Sequence, residues 1–142
     1  MSTKMLLATL VGGVVSFFLG WLVFGILLDP YYKSHMVNYE GLMRNMETGE
    51  VRMVGIALAQ FCFAGLLAYI FDRWANIRNF AQGFMGGFIV MGLAYAGFNI
   101  FMWSTMNLGP YIMYAVDIVA NAIFGGVIGG VIGWMLGRGK SA

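Results

Sequence analysis

The sequence predicts an all-α, four-helix transmembrane bundle with a short amphipathic helix in its first, outer loop. Three observations carry this. Of 142 residues, 61% are hydrophobic and only 10% charged, far below the roughly 25% charge of soluble domains. Four apolar runs are each long enough to cross a hydrocarbon core of about 30 Å, which takes about 20 helical residues. Open strands are excluded there because lipid leaves their backbone groups unsatisfied. A disordered chain would be polar and poor in aromatics, whereas 16% of this one is Phe, Trp or Tyr.

The spans are expected at about 5–28, 53–71, 80–105 and 111–137, within one integral membrane domain covering 1–142. The first stops at Asp29-Pro30. Lys4 followed by an apolar run resembles a secretory signal, but the run is too long and no small-x-small cleavage site follows it, so it is read as a membrane helix. Arg52 and Asp72 bracket the second span. The third ends before Asn107-Leu108-Gly109-Pro110, a turn in which proline cannot extend the preceding helix. Pro110 suits the first turn of the fourth span, which ends before Arg138.

The amphipathic outer segment is expected over about 30–47. Tyr32, Met36, Tyr39, Met43 and Met46 step by alternating fours and threes, one face of a helix. Asp29 would be its N-cap and Pro30 its first residue. Such a segment lies in the interface or covers the bundle's outer end.

Four spans put both termini and the 72–79 connection on one side. That side carries Lys4, Arg73, Arg78, Arg138 and Lys140, against Lys33, Arg44 and Arg52 on the other. The excess of Lys and Arg assigns the termini to the cytoplasm. Trp74 and Trp134 near one boundary, and Tyr31, Tyr32, Trp103, Tyr111 and Tyr114 near the other, fit interfacial aromatic belts.

Gly125, Gly129, Gly133 and Gly137 recur every fourth residue in the last span, and Gly12, Ser16 and Gly20 do so in the first. Small residues at that spacing let helix backbones approach closely, a glycine zipper in place of the hydrophobic drive that lipid removes. The first and fourth spans are therefore expected to touch, within a chain or between subunits. Gly83 and Gly87 share the spacing in the third.

Polar residues inside the spans are few. Asp117 is the only acidic one within the spans as drawn, which by default marks a functional site. Its alternative is interfacial, because the 20 residues after it suffice to cross alone and the helix N-terminus favours an anion. Asn121 one turn below, Tyr114 three residues before, Asn99 and Arg52 complete a candidate polar layer for an ion or small ligand. Arg52 is its expected charge partner, because a carboxylate away from water must be paired or neutralised. Gln60, Cys62, Ser16 and Thr9 read as helix-packing hydrogen-bond formers. His35 with Met36, Met43 and Met46 would allow Cu(I), although methionines spread through the whole chain serve equally as apolar filler. The sequence holds no nucleophile–base pair, paired catalytic carboxylates, P-loop or dinucleotide fingerprint, so no enzyme, cofactor or metal site is expected. The lone Cys62 leaves no disulfide framework, and no basic stripe suggests nucleic acid.

Residues 18–32, with Gly20-Trp21, Phe24-Gly25 and Asp29-Pro30-Tyr31-Tyr32, the Asp72-Arg73-Trp74 end of the second span and the glycine-rich 125–137 stretch resemble a family of small bacterial four-helix integral membrane proteins of unknown function. The resemblance implies a bacterial inner-membrane location and carries no site residues. Two functions fit: a structural or accessory subunit that joins itself or a larger membrane complex, and a small oligomeric transporter or channel built on the Asp117 layer.

Overall fold

A computed structural model describes residues 2–44 and 48–138. Within them the chain is all-helical, without strands. Helix α1, Thr3–Gly20, continues without a break into a π-helical stretch, Trp21–Leu27. The short α2 is Asp29–His35. Helix α3, Met53–Ile70, ends in a second π turn, Phe71–Ala75. Helices α4, Phe80–Thr105, and α5, Tyr111–Gly137, form an antiparallel hairpin. With their π extensions, four helices of 23 to 27 residues are long and apolar enough to span a bilayer.

Local chemistry sets several ends. Ser2 caps α1 through a hydrogen bond from the Met5 amide, and Asn79 caps α4 by accepting from the Gln82 amide. The α3–α4 connection turns at Asn76, whose φ of 49° is one that asparagine tolerates. Arg78 fixes that connection by pairing with Asp72 at 2.9 Å. Ser2 also reaches Asp72, so the start of α1 and the α3–α4 connection share one end of the bundle.

The expected outer helix over 30–47 is shorter than its periodicity suggests. Helix α2 is capped by Leu28, has Asp29 and Pro30 in its first turn, and stops at His35. Met36 is extended, and the Val37 amide donates to the Leu108 carbonyl of the α4–α5 turn at 2.7 Å. Tyr39 adds a bond from its hydroxyl to the Asn107 carbonyl. A tertiary partner thus takes the Val37 amide that would have extended the helix. The apolar stripe through Tyr39 and Met43 is therefore not helical, and Met46 lies outside the described residues.

Helix α5 is the central element. Its buried face runs from Met113 to Leu136 and packs against both α1 and α4. The glycine ridge is occupied by α4. A methyl added at Gly87 would enter the Gly125 carbonyl and sit 3.0 Å from the Gly129 Cα, and one at Gly133 would lie 3.0 Å from the Gly83 Cα. The short 106–110 turn makes α4 and α5 neighbours, so their small residues meet first. Helix α1 reaches α5 beside this ridge: a Cβ at Gly12 would fall 2.7 Å from Ile132. Gly20 has only ordinary contact with Phe124. Towards the end that carries Ser2, Met5, Ala8, Leu67, Phe71, Ile132 and Leu136 close the core.

Candidate functional site: a polar cavity at Asp117

Asp117 lies six residues into α5, about 9 Å along its axis. A 27-residue helix is about 40 Å long, so centred in a hydrocarbon core of about 30 Å it would place Asp117 just inside the boundary. Asn99, six residues before the end of the antiparallel α4, falls at the same level.

The carboxylate is held from two sides by neutral donors. Tyr32 of α2 donates its hydroxyl to Oδ1 at 2.7 Å, and Asn99 donates Nδ2 to Oδ2 at 2.8 Å. Asn99 also donates to the Tyr95 carbonyl one turn back. Asn121, buried one turn below Asp117, donates to the Asp117 backbone carbonyl at 2.9 Å and keeps its side-chain oxygen as an acceptor. Each donor arrives on a different helix or a different turn, so Asp117 joins α2, α4 and α5. The pKa of Tyr32 is raised, first by burial and then by the hydrogen bond and negative charge of Asp117. The phenol therefore remains a donor throughout the neutral range.

The expected partner Arg52 is placed elsewhere. It is the exposed N-cap of α3. An exposed guanidinium keeps its hydration, whereas phenol and amide donors enter the protein at much lower desolvation cost. Tyr114, on α5 with Asp117, is buried, and its hydroxyl has no hydrogen-bond partner among the described residues.

Below the carboxylate lies a cavity of about 210 Å³, lined by Phe24, Gln60, Tyr95, Asp117, Asn121 and Phe124. Two of its lining rings, Phe24 and Phe124, meet edge to face with centroids 5.7 Å apart. Ser16 of α1 donates to Gln60 Oε1 and fixes that amide between α1 and α3. Thr9 instead donates to its own helix at the Met5 carbonyl. A larger groove of about 990 Å³ opens between the π-helical end of α1, the outer loop and α3, and shares Phe24 and Gln60 with the cavity. Tyr32 lines the groove as well, so its phenol stands between the groove and the carboxylate.

The sequence pointed to Asp117, Asn121 and Asn99, which the fold brings together. It missed Tyr32 as a site residue, reading it as an interfacial aromatic and as part of the amphipathic stripe, and it missed Phe24, Tyr95 and Phe124. Gln60 was read as packing, and it both packs and lines the cavity. The legible signal was the i, i+4 step from Tyr95 to Asn99 on one face of α4. On the outer loop His35 stacks on Tyr31 at 4.2 Å and its Nδ1 faces the Tyr31 carbonyl, while Met43 is exposed. Among the described residues no cluster of His, Cys, Asp and Glu suits a metal. Compared with protein-family models, curated proteins and solved structures, the chain matches none.

Proposed function

We propose that this membrane protein takes a small polar solute from its outer side into the Asp117 cavity, as the binding step of a small transporter. The observation that carries the reading is a carboxylate lining a small open polar pocket between the helices, which shares Phe24 and Gln60 with a larger groove, while packed apolar residues fill the other end of the bundle. Intramembrane carboxylates are costly and concentrate on solute and ion pathways. The closed inner half argues for a carrier rather than an open channel.

The accessory-subunit reading relied on a free glycine face. That face is spent on α4 within the chain, which leaves the transport reading the better supported. The bias of Lys and Arg towards the termini supports a cytoplasmic location for both, and the family resemblance supports a bacterial inner membrane. Assembly of several copies would add the mass that four helices lack.

The test is solute binding to purified protein in lipid nanodiscs, followed calorimetrically with small solutes of positive, zero and negative charge. At least one class should bind and weaken on both Asp117→Asn and Gln60→Met. Absence of binding in all three classes, or binding indifferent to both substitutions, overturns the reading.

A further inference from the structure

Building on the binding-site reading above, we infer that the cavity selects a small organic cation, an ammonium or guanidinium compound. The donors on the Asp117 carboxylate, Tyr32 and Asn99, are neutral, so they support its negative charge without cancelling it. Neither Lys nor Arg lines the cavity among the described residues. In a low-dielectric layer such a charge requires a counter-charge or a proton. The side-chain oxygen of Asn121 adds a second acceptor on the same helix face.

The remaining walls decide what kind of cation fits. Phe24 and Phe124 are two of the six lining residues, and aromatic rings attract organic cations through their quadrupoles. A bare inorganic ion instead wants a shell of oxygens, six to eight for calcium, which this cavity does not supply. Its volume of about 210 Å³ is several times a single ion's share and, at about 30 Å³ per water-sized group, holds roughly seven such groups. That is the size of choline. An acid or phosphate would meet the Asp117 charge with nothing to balance it. Tyr95 and Gln60 offer hydrogen bonds to an uncharged polar end of the same molecule.

The experiment compares choline chloride, its near-isosteric neutral analogue 3,3-dimethylbutan-1-ol, and sodium acetate. Each is titrated calorimetrically into the full chain in nanodiscs at constant sodium chloride. Choline should bind at least about tenfold more tightly than the alcohol, and acetate not at all. Asp117→Asn should cost choline at least about tenfold, through loss of the Coulombic attraction between the carboxylate and the quaternary ammonium. Phe124→Leu, which removes the ring and leaves a smaller apolar side chain, should cost choline about fivefold and the neutral alcohol less. If Asp117→Asn does not fold, Phe124→Leu decides alone, and unchanged choline affinity there overturns the proposal. Alcohol or acetate binding as tightly as choline, with sensitivity to Gln60→Met, overturns the cation preference and leaves the cavity as a solute site. Binding of none of the three removes both readings.

Discussion

The Tyr32 hydroxyl reaches the Asp117 carboxylate at 2.7 Å across 85 positions of sequence. With the bonds of Val37 and Tyr39 to the α4–α5 turn, it is one of three contacts that fasten α2 and the loop after it to the bundle, and the one that lies beside the pocket. Tyr32→Phe removes the donor and keeps the ring. Stability in detergent should fall by about 1–2 kcal/mol, the range for a hydrogen bond to a charged acceptor in a half-buried site. Limited proteolysis between Met36 and Arg52 should speed up in parallel. Unchanged cleavage would show that Val37 and Tyr39 alone hold the loop.

The same bond has a pH signature. Because folding raises the Tyr32 pKa, the neutral phenol is favoured in the fold, and its stabilisation is complete below the ordinary phenol value of about 10. It is lost as pH climbs above that value towards the folded one. Melting temperatures of wild type minus Tyr32→Phe should therefore be constant from pH 7 to about 9 and narrow beyond about 10. A difference that widened with pH would contradict the assignment of Tyr32 as donor.

Two glycines of α4 should respond in opposite ways. A Cβ at Gly87 enters the Gly125 carbonyl, so Gly87→Ala should destabilise by about 1–3 kcal/mol through overpacking. Gly97 has nothing within 4 Å of the added methyl. Gly97→Ala should hold or raise stability by up to about 1 kcal/mol, the helix-propensity difference. Equilibrium unfolding in mixed micelles compares the two directly.

Tyr114 gives a contrast to Tyr32 on a phenol without a partner. Its hydroxyl is buried and unpaired among the described residues, a situation that costs about 1–3 kcal/mol. Tyr114→Phe should leave the melting temperature unchanged or raise it, while Tyr32→Phe lowers it. A marked loss at Tyr114 would reveal a hydrogen bond there.

The four long helices were legible because lipid demands long apolar helices, and Asp29, Arg52 and Pro110 mark their ends, whereas the second runs past its expected stop at Asp72 to Ala75 through a π turn. The outer helix was overextended because a stripe of Tyr and Met at helical spacing says nothing of the backbone bond from Val37 to Leu108, a contact across 71 positions (108 minus 37). Within the site, counting charges favoured Arg52 as the companion of Asp117. The fold uses uncharged donors instead, and a phenol or an amide in a chain rich in aromatics leaves no comparable mark. The glycine ridge was visible as a ridge, but its partner follows from which helices a short turn makes adjacent.

The π-helical stretch Trp21–Leu27 has a further consequence. Each π turn closes its hydrogen bonds over one residue more than an α turn, as between the Leu28 amide and the Val23 carbonyl. Relaxing that stretch to ordinary α-helix at unchanged chain length would displace everything beyond it by the one residue the π turn absorbs, about 100° of rotation. Tyr32 and the loop after it would then swing away from α5 while the end of the bundle that carries Ser2 stayed as it is. The fit between α2 and the Asp117 layer thus depends on the extra residue that the π turn absorbs at a single locus.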